Sequence, residues 1–461
     1  MEVPTLIYGQ RLSGGDVETV EDLRSPGRVV TEVRITEGSE IIRAADGLEE
    51  AMRVWRKTTD EEKSGIFSRA ADILEDRKTQ AFDQMNKEAG VERPMADFVF
   101  GGAVGILRDL AVRLSKGQEP VMIELGGRHQ TMVVREPIGG VLAMSPWNAP
   151  PILAMRSVAY PLAAGCPVIF KTNEIAPGSQ YATISCLLDA GLPAGMLNVI
   201  NSTREQTPKV VEALLSHKNI RKVNFTGSSA VGSKIAQLAA KHLKTVTLEL
   251  GGKGAVIVDE DADIPKAVAA VLDGAWKNAG QICMSTERVF VHERVYSKFV
   301  ELLKNTEFSL NQAQPLVNHG VNAEKLIQQA LDSGAQILYH QPGEQIDRII
   351  LEKVDETMDL YSQESFGPVA YVVPVKTTSE AIDLANASEY GLSCAIWSSN
   401  PTSAIAIARQ LECGSVHING NTVFDHPAVP HGGCKSSGWG RFNSQWGIDE
   451  FTFVKSITYT S

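Results

Sequence analysis

The 461-residue chain lacks a run of 18 apolar residues, so no helix of ordinary membrane-spanning length is expected and no membrane partner. Met1-Glu2-Val3-Pro4 carries no basic segment leading into an apolar one, and Tyr459-Thr460-Ser461 is neither a retention nor a prenylation signal. A cytoplasmic location is the expectation. No long block of like charge, low-complexity segment or internal repeat occurs. The net charge of −11 argues against wide nucleic-acid binding through phosphate neutralisation. Cysteine is sparse, with Cys166, Cys186, Cys283, Cys394, Cys413 and Cys434 too far apart in sequence for a zinc or redox motif. They read as reduced thiols. The nearest histidine pair, His426 and His431, lacks the i, i+4 spacing of a helical metal site and is framed by Pro427 and Pro430, hence a loop. No metal is expected.

What is present is ordinary globular composition, 43% hydrophobic and 21% charged, at a length that suggests two or three domains. The first 115 residues are mainly helical in pattern, with apolar residues near a 3.6 period over 39–56 and 63–86, the second ending at Gly90. Two short strands around Gly126-Gly127 predict a hairpin, of a kind that packs against another subunit. From residue 139, strands at 140–144, 168–171, 197–200, 222–225 and 245–250 alternate with helical stretches. That pitch predicts an α/β fold with a doubly wound parallel sheet, whose ligands sit at the carboxyl ends of the strands. Asn148, Lys171, Gly227 and Glu249 each fall at or just past such an end. A second α/β unit starts near Ala255 and contains Cys283. An alternating strand closes the chain.

Candidate chemistry gathers at these ends. Gly280-Gln281-Ile282-Cys283 lies 34 residues after Glu249-Leu250-Gly251-Gly252-Lys253. A thiol and a carboxylate beside glycines suit covalent attack on a carbonyl and activation of water. A lone Cys is otherwise a small core residue, and Glu249 the polar side of a strand end. Asn148, after Pro146 and Trp147, suits an oxyanion donor or a self-stabilised turn. Gly227, Ser228 and Gly232 open a helix in the manner of a phosphate site, although Gly-x-x-x-x-Gly is a weak signal and Ser228 or Ser229 also suits an N-cap. Lys171 and Glu174 suit the hydroxyls of an adenosine ribose, or a solvated ion pair. A carboxylate there disfavours a 2′-phosphate by about 4 kcal/mol at 4 Å and an effective dielectric near 20, which favours NAD over NADP.

Pro146-Trp147-Asn148, Phe225-Thr226-Gly227-Ser228, Glu249-Leu250-Gly251-Gly252-Lys253, Gly280-Gln281-Ile282-Cys283 and Glu364-Ser365-Phe366-Gly367-Pro368 resemble, in order and rough spacing, the aldehyde dehydrogenase superfamily. The resemblance implies Cys283 as nucleophile, Glu249 as general base and Asn148 as oxyanion donor. It also implies Trp147, Lys171, Glu174, Gly227, Ser228, Gly232, Glu364 and Phe366 around NAD. The domains it implies are NAD-binding (1–117 and 138–250), catalytic (251–435) and a β-strand oligomerisation arm (118–137 and 436–461) of a homodimer or homotetramer. Within the superfamily, Trp147-Asn148-Ala149-Pro150, Arg156, Cys283-Met284-Ser285-Thr286-Glu287-Arg288 and Gly438-Trp439-Gly440-Arg441-Phe442 look like the salicylaldehyde and vanillin dehydrogenase branch. A site lined by Trp276, Ile282, Met284 and Phe424 would suit a flat aromatic aldehyde, with Arg156 meeting a ring hydroxyl or carboxylate. The chain departs from the family at Thr172-Asn173, at Gln363 and over 305–350, which is shorter and lacks the usual strand-and-loop pattern. Transfer of the acyl group to coenzyme A, or a non-catalytic nucleotide-binding protein, are the alternatives.

Overall fold

The computed structural model describes residues 1–117, 119–126, 129–306, 321–343 and 347–460. Its first sheet has eight strands, in the order Gly438–Trp439, Thr245–Glu249, Ile220–Thr226, Gly140–Met144, Val168–Lys171, Leu197–Ile200, Thr5–Ile7 and Gln10–Leu12. The five strands between 140 and 249 are mutually parallel. Gly140–Met144, Val168–Lys171 and Leu197–Ile200 are buried at every position, as strands covered by helices on both faces must be. The strand order reverses between Gly140–Met144 and Ile220–Thr226, which opens a crevice at their carboxyl ends. Register puts Lys171 opposite Met144, Met144 opposite Phe225, and Glu249 opposite Thr226, so the predicted edge is a physical row.

The second sheet has seven strands, in the order Gln336–Gln341, Arg348–Glu352, Val369–Val375, Thr286–His292, Gly254–Val258, Ser393–Trp397 and Ser415–Ile418. All neighbours but the first pair are parallel. The described part of 305–350 carries the helix Val321–Asp332 and the antiparallel pairing of Gln336–Gln341 with Arg348–Glu352. Residues 307–320 and 344–346 lie outside the described residues.

The N-terminal region is less helical than its pattern predicts. Five strands occupy Glu2–Val3, Thr5–Ile7, Gln10–Leu12, Val17–Asp22 and Ser25–Arg34, mostly exposed beyond residue 7 and so without a clear apolar alternation. The predicted 39–56 helix is two, Gly38–Asp46 and Leu48–Lys57. Gly47 separates them because the Tyr8 ring fills the space a Cβ would need. The 63–86 pattern also splits, into Asp60–Asp76 and Lys78–Ala89, and Gly90 ends the latter in the left-handed conformation as expected.

Strand Thr452–Thr460 pairs antiparallel with His129–Pro137, which pairs with Val121–Gly126. Gly127 of the predicted turn lies outside the described residues. Val121, Met122, Ile123, Phe453, Val454, Ile457 and Tyr459 are exposed on this ribbon. The 436–461 segment divides: Gly438–Trp439 joins the first sheet beside Thr245–Glu249, and only its last strand lies on the ribbon. All six cysteines are free.

Candidate active site

Glu249 ends its strand with 1% of its surface exposed, and neither carboxylate oxygen has a hydrogen-bond partner among the described residues. A buried carboxylate left this way is costly unless it is held for a reacting group. The chain then turns through Leu250, Gly251 and Gly252 into Gly254–Val258 of the second sheet. The two glycines are there for close approach. A Cβ on Gly251 would meet Glu364 Oε2 at 2.2 Å, and one on Gly252 would meet the Cys283 carbonyl at 2.3 Å. The base, the nucleophile and Glu364 are therefore brought together through backbone contact.

The approach to Cys283 is strained. Asn278, Ala279 and Gly280 have φ of 52°, 54° and 70°, a run of left-handed residues of which only the last avoids a Cβ penalty. Asn278 Nδ2 holds this run, donating to the Asn148 carbonyl at 3.2 Å and to the Gln281 carbonyl at 3.4 Å. Asn148 Nδ2 donates to the same Gln281 carbonyl at 3.0 Å. The Asn148 amide has a second N–H. The oxyanion candidate is thus tied to the turn that carries the nucleophile.

Cys283 is half-buried. Burial first, then the Glu249 carboxylate beside it, then Glu364, hold its thiol well above the ordinary range; Arg156 opposes them. It packs against a large apolar cluster that also takes in Trp147, Ile282, Met284, Val423 and Phe442. Trp147 meets Phe366 edge to face with ring centroids 6.1 Å apart. Phe366 itself has φ of 49°, an unusual conformation for a bulky residue, and the preceding residues are clamped to hold it. The Ser365 N–H donates to both oxygens of Glu287 at 3.1 and 3.0 Å, and Lys253 Nζ donates to Glu287 at 2.5 Å. Glu364 Oε1 accepts from the Gly252 N–H at 2.9 Å. Burial, then Glu287, push the Glu364 carboxyl up to about 8, against the Gly252 N–H and Lys253.

Along the other arm of the crevice, Lys171 Nζ donates to Glu174 at 2.6 Å, and Thr207 donates to the same carboxylate oxygen at 3.1 Å. Burial lowers the Lys171 ammonium against the pull of Glu174. Glu174 lines a small cleft with Arg204, Thr172 and Pro177. Ser228 caps helix Ser229–Lys241 by accepting from the Val231 N–H, so the N-cap reading of this serine holds. Gly232 faces Leu250, whose side chain would be 2.5 Å from an added Cβ, and so packs helix against sheet.

Two of the expected substrate contacts have partners within the protein. Arg156, on the fully buried helix Pro150–Ala163, pairs with the buried Asp425. Burial works to lower the guanidinium, but Asp425 outweighs it, and Arg156 in turn draws the Asp425 carboxyl down. The ion pair engages Nη2 of the guanidinium, while its Nε has no hydrogen-bond partner among the described residues. Trp276 stacks on Tyr339 at 5.6 Å inside the core of the second sheet, away from the cluster around Cys283. Ile282 and Met284 do join that cluster, and Phe424 stands 47% exposed next to Val423 with its ring 5.1 Å from that of His417. Asn278 and Asp425 escaped the sequence reading, and Glu287 and His431 were given no role in the site, because their partners are distant in the chain and each alone resembles an ordinary polar residue.

Residues 14–457 match the model of the aldehyde dehydrogenase family. The chain belongs to that family. It is 39% identical over 471 residues to a vanillin dehydrogenase of a Pseudomonas species, covering 99% of this chain and 97% of the relative. It is 36% identical over 473 residues to a salicylaldehyde dehydrogenase of Pseudomonas putida, covering 99% and 98%. The solved structure of a Pseudomonas putida salicylaldehyde dehydrogenase complexed with salicylaldehyde superimposes with a TM-score of 0.94 at 34% identity, covering 100% of this chain and 98% of that one. The aldehyde dehydrogenase fold and class of chemistry follow. Enzymes of this family use NAD or NADP.

Proposed function

We propose that this aldehyde dehydrogenase oxidises an aromatic aldehyde to the carboxylic acid, with NAD as acceptor, through a thioester on Cys283. The observation that carries it is the convergence of an unpartnered buried carboxylate, Glu249, on the Cys283 thiol, with the Asn148 amide tied to the same turn. The Cys283 thiolate adds to the carbonyl carbon, and the Asn148 amide, assisted by the Cys283 N–H, stabilises the oxyanion. NAD, when bound, accepts the hydride. Glu249 then takes a proton from water as its oxygen attacks the thioester, and the Cys283 sulfur leaves.

The residues fit a dinucleotide. Lys171 and Glu174 would hold the adenosine ribose, the Ser229–Lys241 helix start with Gly227, Ser228 and Gly232 the pyrophosphate, and Glu364 with Phe366 the nicotinamide half; the Lys171–Glu174 pair, the capped helix start and the Glu364 carboxyl at Gly252 support this. Gly251 leaves room for the Glu364 carboxyl at the cleft. Glu174 supports NAD over NADP. The apolar set Trp147, Ile282, Met284, Val423 and Phe442, rimmed by Phe424, supports an aromatic ring, as do the named activities of the relatives. The exposed ribbon of Val121–Gly126 and Thr452–Thr460 supports a homodimer or homotetramer, and the division into NAD-binding, catalytic and arm regions follows the two sheets and this ribbon.

A screen of benzaldehydes against aliphatic aldehydes, with NAD and NADP in parallel, tests the reading. Higher kcat/KM on benzaldehydes with NAD is expected, and an aliphatic or NADP preference refutes the corresponding part. Cys283→Ala abolishes acid formation if the nucleophile is assigned correctly.

A further inference from the structure

His431 sits in the loop before the Gly438–Trp439 strand, with 7% of its side chain exposed. Its backbone is fixed by a two-way bridge to Phe442, at 3.1 and 2.7 Å. Its Nε2 lies 3.9 Å from Glu249 Oε1, on the carboxylate that also stands beside the Cys283 thiol. Nothing in the reaction as derived so far uses this imidazole.

We propose that His431 is the positioning residue for Glu249, orienting the carboxylate and accepting from it the proton removed from water during thioester hydrolysis. The inference rests on the thioester reading above. The distance is about 1 Å beyond a hydrogen bond, and such contacts commonly tighten once substrate is bound. Two carboxylates and two neutral or paired groups surround the ring. Glu249 faces it from the first sheet and Asp425 from the loop below, and the Asp425 carboxyl is drawn down by Arg156 and then by His431. The cations nearby are spoken for. Arg156 is paired with Asp425, and the Arg441 guanidinium donates to the Gly433 and Gly440 carbonyls. His417 also faces the ring, and burial followed by His431 lowers it, which keeps it neutral. His426, on the same loop, accepts from the Ala428 N–H. Cys283 and Glu364 face Glu249 from its other side.

The step balances without a co-reactant. The water oxygen bonds to the acyl carbon while its proton passes to Glu249 and on to His431 Nε2. The carbon–sulfur bond breaks with its electron pair on Cys283. The imidazolium proton then returns through Glu249 to that sulfur, leaving acid and free thiol.

The test uses the full chain and the variants His431→Gln and His431→Asn. Each is mixed with NAD and a benzaldehyde and quenched in acid at intervals, and the acyl adduct on Cys283 is counted by mass while NADH is followed by absorbance. If the parent chain forms neither adduct nor NADH, the aldehyde-oxidation reading fails, and this inference with it. If the parent chain turns over, the variants are expected to form NADH in the first turnover at the parent rate but to lose the adduct about 10- to 100-fold more slowly. They should also change the pH profile of the hydrolysis rate, because the substitution removes the group proposed to take the proton. Parent-like hydrolysis in both variants overturns the proposal, as does slowed hydrolysis with an unchanged pH profile. Loss of the first turnover in both variants overturns it too, because His431 would then only hold the fold of the site.

Discussion

Replacing Glu249 by Gln acts on two steps with opposite sign. The Cys283 thiol is raised by burial, then by the Glu249 charge, then by Glu364, while Arg156 pulls it down. The substitution keeps the shape of the side chain and removes the second cause. A charge at such close range is worth about 1 to 3 pKa units. One unit gives about ten times more thiolate at any pH below the thiol's own value. The more acidic thiolate is less nucleophilic, with a Brønsted slope of about 0.4–0.5, so the net gain in reactivity is about three- to fourfold. Hydrolysis moves the other way, losing the about 10²- to 10⁴-fold that a positioned base contributes. A disulfide reagent at pH 8, with labelled peptides resolved so that Cys283 is read apart from the other five cysteines, measures the first effect. Intact mass after mixing with aldehyde and NAD measures the second. Faster labelling together with a persistent acyl adduct is expected. Slower labelling of Cys283, or full steady turnover, refutes the pairing of these two side chains.

Asp425→Ala leaves the Arg156 guanidinium buried without its counter-ion, and chemical denaturation should show a loss of about 3–5 kcal/mol. The Asp425 carboxyl is depressed in the folded chain, so its contribution is present at neutral pH and is lost as pH falls below the ordinary carboxylate value of about 4. In the variant the acid limb of the stability curve should flatten. Glu364 shows the opposite linkage. Its folded value near 8 lies above its unfolded one, so its contribution is complete below about pH 4 and is lost as pH rises toward 8. Glu364→Gln should therefore raise the melting temperature of the nucleotide-free chain at pH 8, more than at pH 5, while weakening NAD binding by calorimetry. Glu174→Gln removes the carboxylate that a 2′-phosphate would meet and leaves Lys171 and Arg204 nearby. Between the about 1 kcal/mol of bulk water and the about 4 kcal/mol of a partly shielded site, kcat/KM with NADP should rise about 5- to 1,000-fold relative to NAD. An unchanged ratio removes Glu174 from the ribose site.

What was legible in the sequence had a local signature. The alternation of Gly140–Met144, Val168–Lys171 and their successors with helices is a pattern of burial on both faces. The glycines at 251 and 252 mark a close approach before the approaching group is known. Illegible features depended on a partner. The split at Gly47 needs Tyr8, and the packing role of Gly232 needs Leu250. The pairing of Arg156 with Asp425, 269 residues away, left no local trace. Trp276 reads as a pocket wall until Tyr339 stacks on it. A charged or aromatic residue near a motif has two destinies, site or scaffold, and only the fold chooses.

The same logic explains how a base in one sheet and a nucleophile in another hold their distance. Leu250 donates its N–H to the Ser437 carbonyl at 3.0 Å, and Ser437 Oγ donates to the Gly251 carbonyl at 2.7 Å. The same oxygen accepts from the Gly391 N–H at 3.0 Å, next to strand Ser393–Trp397 of the second sheet. One fully buried serine thus fastens the Glu249 strand end to the second sheet. From there Gly252 against the Cys283 carbonyl carries the constraint to the nucleophile. The main-chain positions of Glu249 and Cys283 are accordingly held by these contacts, which leaves the side-chain rotamers as the freedom within the site.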